Sequence, residues 1–206
     1  MLFEDTYQTI AGPTEGSFRD RGSKFLGFAY PVKTEEEIKA IINHLKKEHP
    51  QANHHCYAFR LTPDPTVLRA ADDREPAGSA GKPILGAIQS MGLTDTLVVV
   101  VRYFGGSLLG VPGLINAYRT AAQEALQQAK IIEKTINDKY VIHFTFEQMN
   151  DVHSLLKSEG VIITSQEYNE PCEIRFEIRK SKTNQLLHKL KNHPTLAAKA
   201  TWEPYY

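Results

Sequence analysis

Two cysteines in 206 residues, Cys56 and Cys172, stand far apart and in no metal-ligand spacing. That scarcity excludes a disulfide framework and makes a reducing cytoplasm the expected compartment. Neither sign of charge is in excess, with Lys plus Arg and Asp plus Glu at 24 each. Residues 1–130 hold 14 of each sign and residues 131–206 hold 10 of each, so no global field draws the chain to a polyanion. No run approaches the roughly 20 apolar residues of a membrane span. The opening MLFEDTYQTIAG lacks the basic start and apolar middle of a signal peptide, so none is expected. Repeats and low-complexity tracts are missing too.

What the chain has instead is glycine in one place. Residues 72–113 hold eight of the 13 glycines and three of the 11 prolines. They also hold the valine run Val98–Val101, which leads into Arg102-Tyr103-Phe104-Gly105-Gly106. A strand running into paired glycines and then a helix presents its main chain to whatever approaches it.

Around this stretch the pattern predicts alternating elements. Residues 3–12 and 14–20 read as the two arms of a hairpin and 25–30 as a strand. Thr34-Glu35-Glu36-Glu37 is a capping box, with Ile38, Ile41, Ile42 and Leu45 at helical spacing behind it. Residues 54–61 alternate as a strand, Pro63 and Pro65 make a turn, and 67–71 return. A helix is expected from about residues 80–83 to Gly92, with Pro83 in its first turn. Thr96 to Phe104 has no alternation over its centre, so both its faces are expected to be covered. Pro112 opens a helix to about Lys130 with an alanine-rich stripe. Beyond Ile132, taken as the domain boundary, the expected order is strand 139–146, helix 150–159, strands 161–168 and 172–180, helix 182–192 and strand 196–203. That βαββαβ order is ferredoxin-like.

Three clusters carry possible chemistry. His54, His55 and Cys56 sit near Asp72, Asp73 and Glu75, which could suit a metal. On a strand, however, His55 points away from its two neighbours, so no metal and no cofactor is expected. His55 with Asp73 or Glu75 could instead serve as acid and base of a small hydrolase acting on a phosphorylated or peptide substrate. Gly78, Ser79, Gly81 and Lys82 fail the GxxxxGK[ST] spacing of a phosphate loop but could still cradle an anion at a helix start. Gly105, Gly106 and Gly110 fail the dinucleotide spacing. Arg102 either holds phosphate, with Tyr57 or Tyr103 stacking on bases, or pairs with Asp72 or Asp73.

HHCYAFR at 54–60, DDREPAGSAGKP at 72–83 and VVVVRYFGGSLLGVPGL at 98–114 resemble the YigZ/IMPACT family, over residues 1–130 most strongly. Arg74 stands where that family usually has glycine, and Ser79 where threonine is usual. The resemblance implies an α+β chain of two domains. The first would be an α/β two-layer sandwich with a left-handed βαβ crossover, similar to the fourth domain of elongation factor G. The second would be ferredoxin-like, similar to that factor's last domain. It also implies a regulator of translation, as the eukaryotic members are. The expectation is a cytoplasmic, non-enzymatic protein that binds RNA or the ribosome through the glycine-rich surface and stays off membranes. A protein-interaction module using the charged outer face of strand 172–180 is the other non-catalytic reading.

Overall fold

The computed structural model describes residues 5–62, 67–197 and 200–205. The turn expected at Pro63 and Pro65, and the start of the strand expected from residue 3, lie outside these residues. The chain divides into two compact units, 7–134 and, with Asp5 and Thr6, the residues from 135 on.

In the first unit, β2 (Thr14–Asp20), β3 (Ser23–Pro31), β4 (His54–Arg60), β5 (Leu68–Ala71) and β6 (Thr96–Tyr103) form one sheet in the order β2-β3-β6-β4-β5. Every neighbouring pair is antiparallel. Strand β6 lies in the middle and is buried from Thr96 to Arg102, as its unbroken apolar run requires. Val98 and Val100 pack on one face under α2 (Gly81–Ser90) and α3 (Gly110–Gln127). Leu97, Val99 and Val101 pack on the other face with Ile38, Ile42 and Leu45 of α1 (Glu35–Glu48). The layer of α2 and α3 on the sheet makes the expected sandwich, and α1 adds a cover on the opposite face because those three apolar side chains need one. The Thr34 side chain caps α1 by accepting from the Glu37 N–H at 3.2 Å.

The hairpin expected at 3–20 does not form. Strand β1 (Thr6–Ile10) pairs with β7 (Ile131–Thr135), and β2 pairs with β3 instead. Gly12-Pro13 separates two strands that belong to different sheets. Strand β7 spans Ile132, the residue taken from the sequence as the domain boundary.

The topology fixes a question of hand. Strands β3 and β4 run parallel with β6 between them and are joined through α1. Strands β5 and β6 run parallel with β4 between them and are joined through α2. The second crossover reverses strand direction, direction of travel and face relative to the first. Reversing all three inverts the hand, so one of the two crossovers is left-handed, against the general preference for right-handed connections.

Close packing on α3 comes from glycine meeting alanine. A Cβ on Gly16 would lie 2.3 Å from the Ala125 nitrogen, and one on Gly27 would lie 2.3 Å from the Ala121 oxygen. Glycine weakens a strand on its own account, and here it is needed for the approach of another backbone.

The second unit holds β8 (Asn137–Phe144), α4 (Met149–Glu159), β9 (Ile162–Glu167), β10 (Cys172–Arg179), α5 (Lys180–Asn192) and β11 (Thr201–Pro204). Its sheet order, β11-β8-β10-β9, with α4 and α5 supplying Val152, Leu156, Leu186 and Leu190 to the core, is the ferredoxin-like arrangement. Helix α5 has no acid in its own first turn. Asp5 supplies one, accepting from the Ser181 N–H at 3.0 Å and from Arg179 Nε at 2.8 Å. These donors hold the Asp5 carboxyl well below the usual carboxylate range.

Gly27→Ala is expected to lift α3 from the sheet and to lower stability by about 1–3 kcal/mol in urea unfolding. An unchanged unfolding midpoint would show that the helix does not need this approach.

Candidate functional site

The three sequence clusters meet at one end of the first unit's sheet, where β6 finishes and β4 begins. Two consecutive left-handed residues, Asp73 at φ +40° and Arg74 at φ +71°, turn the chain there. Arg74 therefore takes a conformation that glycine adopts more easily, and its guanidinium donates to the Asn53 carbonyl at 3.0 Å.

Asp72 organises the loop before α2. Its Oδ2 accepts from the Gly78 N–H at 2.8 Å, and its Oδ1 accepts from Ala80 at 3.0 Å and Gly81 at 2.8 Å. The helix start expected to cradle an external anion is thus filled by the chain's own carboxylate. Burial works to raise the Asp72 pKa, but the three N–H groups and Lys82 outweigh it and hold the carboxyl below its ordinary value. Ser79 is buried and donates to the Pro76 carbonyl at 2.7 Å, so its hydroxyl does not face solvent. Gly81 is a packing glycine, since a Cβ there would lie 2.5 Å from the Ala71 nitrogen. Lys82 remains exposed.

Glu75 turns inward. Its Oε1 lies 2.6 Å from Arg102 Nη1 and 2.7 Å from the Tyr118 hydroxyl, with His54 Nε2 at 3.7 Å. Both Glu75 and Arg102 are buried. The guanidinium lies between the rings of Phe25 and Phe104, at 5.4 and 5.5 Å from their centroids. Arg102 therefore does not reach out to phosphate, and its acidic partner is Glu75 rather than Asp72 or Asp73. The strand alternates, so residue 102 shares the face of Val98 and Val100, where Tyr118 of α3 closes the pocket.

His54 and His55 are both tied to Asp73. His54 Nδ1 lies 2.8 Å from the Asp73 carbonyl, and the His55 N–H donates to Asp73 Oδ2 at 2.7 Å. The His55 ring lies on the opposite face of the sheet from Glu75, with its Nδ1 4.0 Å from Asp73 Oδ2. Burial lowers its pKa, which favours the neutral ring. Hence His55, Asp73 and Glu75 do not converge as an acid–base set. Cys56 is fully buried and donates to the Asp72 carbonyl at 3.0 Å, and burial pushes its thiol far above the ordinary value. A thiolate nucleophile is disfavoured there. Among the described residues no group of three or more His, Cys, Asp or Glu side chains could hold a metal ion.

Tyr57 and Tyr103 lie on the α1 face, away from Arg102, and the Tyr103 hydroxyl is 2.9 Å from His49 Nδ1. The turn after β6 is pinned by Asn53 Oδ1, which accepts from the Phe104 N–H at 2.9 Å, and by Ser23 Oγ, which accepts from Gly105 N–H at 3.1 Å. Gly105 packs so tightly on Gly22 that a Cβ would fall 1.9 Å from its carbonyl carbon. Gly106, at φ +87°, has open space around it. Leu108 beyond it is 83% exposed, and Arg21 reaches its carbonyl at 3.5 Å.

Sequence reasoning passed over Tyr118 and Asn53. Tyr118 is the one polar-tipped side chain in an otherwise apolar stripe of α3, which is the signal of a buried hydrogen bond. Asn53 carries no such signal, because its partner lies 51 residues away.

A family model for the Impact N-terminal domain matches residues 21–126. This chain belongs to the IMPACT family. It is 34% identical over 171 residues to IMPACT family member YigZ of Escherichia coli, covering 82% of this chain and 83% of that one. It is 30% identical over 179 residues to IMPACT family member YvyE of Bacillus subtilis, covering 87% and 82%. Among solved structures, a crystal structure of a hypothetical protein superposes with a TM-score of 0.75 at 29% identity and covers 99% of both chains. The family, and an α+β fold over the whole length, are thereby shown.

Truncating Glu75 to Ala is expected to lower stability by about 3–5 kcal/mol, because it leaves the Arg102 charge buried and unpaired. Tyr118→Phe should cost only about 1 kcal/mol. Equal losses for the two variants in denaturant unfolding would contradict this order. The lowered Asp72 pKa has a sign for pH. The stabilisation is fully present above the ordinary carboxylate pKa of about 4 and is lost as pH falls through the lower folded value. Wild type should therefore lose stability on acidification more steeply than Asp72→Asn, as followed by circular dichroism.

Proposed function

We propose that this IMPACT-family chain is a cytosolic, non-catalytic regulator of translation that docks on RNA or the ribosome through the glycine-rich end of its first unit. The observation that carries the reading is the division of groups at that end. The carboxylates and histidines suited to proton transfer face inward or bond to the loops themselves. The solvent side is left with the exposed Arg21, Arg74 and Lys82, the exposed ring of Phe104 and the open main chain of Gly106 and Ser107. Cations, an aromatic face and free backbone N–H groups are the means by which proteins hold phosphate and unpaired bases. Translation as the process comes from the family resemblance.

The outer face of β10 supports a protein-docking role less well. Arg175 there is paired with Glu173 at 2.7 Å and lies 5.4 Å from the Tyr205 ring, so its charge is engaged within the fold. No helix among the described residues is long and apolar enough to cross a membrane.

Sedimentation with purified ribosomes tests the reading. The wild type should co-sediment in ~150 mM salt, and the triple variant Arg21→Gln, Arg74→Gln, Lys82→Gln should lose roughly tenfold in affinity with a shallower salt dependence. A wild-type protein that binds neither ribosomes nor ribosomal RNA at that salt would overturn it.

A further inference from the structure

The even tally of charge in the second unit conceals a sorting along the chain. Residues 178–202 contain Arg179, Lys180, Lys182, Lys189, Lys191 and Lys199 and no acid, whereas 131–177 contain nine acids and four basic residues. Most of this acid-free run is helix α5.

Packing decides which of these cations are available. Thr183, Leu186 and Leu190 are buried under the helix. Lys189 is engaged by the buried Glu159 at 2.5 Å, which also accepts from Gln185 at 3.0 Å. Asp5 takes Arg179, and Asp138 accepts from the Thr183 hydroxyl at 2.7 Å. Asp5, Asp138 and Glu159 are therefore already held. Lys180, Asn184, His188 and Lys191 stand at i, i+4, i+8 and i+11, along one exposed ridge of the helix. From Lys180 to Lys191 the ridge runs about 16 Å at 1.5 Å per residue.

We infer that this ridge of α5 is a phosphate-backbone surface for RNA. Its composition separates it from other polyanion surfaces. An interfacial membrane helix needs an apolar face free to enter lipid, and the buried apolar side of α5 belongs to the core. Protein interfaces are depleted in lysine and anchored by Tyr, Trp and Phe, and this ridge is Lys180, Asn184, His188 and Lys191, with none of those three. Lysine and amide side chains on a helix are the usual contacts to phosphate and sugar. The choice of RNA over DNA rests on the function proposed above. The location on α5 rests only on charge and packing, on a different surface from the glycine loops.

Fluorescence anisotropy with a short mixed-sequence RNA duplex tests it. The full chain, the α5 variant Lys180→Gln/Lys191→Gln and the loop variant Arg74→Gln/Lys82→Gln are titrated at several salt concentrations. Both α5 lysines are exposed, and an unchanged thermal midpoint confirms that the variant is folded. The α5 variant should bind about tenfold more weakly, with a salt slope smaller by about 2, roughly one unit per lost phosphate contact. An α5 variant equal to wild type in affinity and slope overturns the inference. If binding is lost only in the loop variant, the helix is wrong and the glycine-end reading stands. If only the α5 variant loses binding, the helix stands and the loops are not the RNA contact. No RNA binding by the wild type sinks both. A DNA duplex of the same sequence bound as tightly, or phosphatidylserine vesicles bound in place of RNA, overturns the assignment to RNA.

Discussion

The buried contact of Glu75 with Arg102 holds together the end of the sheet on which the first unit's loops depend. Arg102 is the last buried residue of the central strand, and its carbonyl also accepts from the Asn53 N–H at 2.9 Å. Glu75 comes from the loop before α2 and Tyr118 from α3, so one carboxylate joins a strand, a loop and a helix. A buried ion pair adds little net free energy compared with an apolar replacement, but loss of one partner strands the other in the core. The pair therefore fixes a conformation more than it supplies stability. Asp72 and Asp73, three and two residues before Glu75, extend the same fixing to the helix start and to the first residues of β4.

This arrangement explains how a loop rich in acids, glycine and proline is held in one shape. Asp72 occupies the place of an anion, Asp73 holds the two histidines, and Glu75 holds Arg102. What remains outside is a rim of cations on loops that these hydrogen bonds hold in place. Rigidity matters for a docking surface, because order already present in the free protein need not be imposed on binding.

Much of the fold was legible in the sequence because periodicity reports burial directly. The valine run of β6 announced two covered faces, and the charged outer face of strand 172–180 announced one. Pairing partners were less legible. Residues 6–10 look like half of a hairpin with 14–20, but their partner is β7, far along the chain, and nothing local distinguishes the two. At the site, the residue types were visible and their directions were not. Arg102 reads equally well as a phosphate ligand or an ion-pair partner until Tyr118 and Glu75 are seen around it. The basic face of α5 was obscured for another reason. A balanced count over a whole domain averages away charge that is sorted between its elements.

Asp5 bears on the order in which the protein can be made. It is synthesised 174 residues before Arg179 and 176 before Ser181, the groups that it caps. The unit formed by residues 7–134 can close while the remainder is still being synthesised, since domains generally fold as they emerge. The second unit instead closes a loop across nearly the whole chain to complete the cap of α5, and such non-local contacts are the slow ones. A residue made early thus serves as the final fastening of a helix made late.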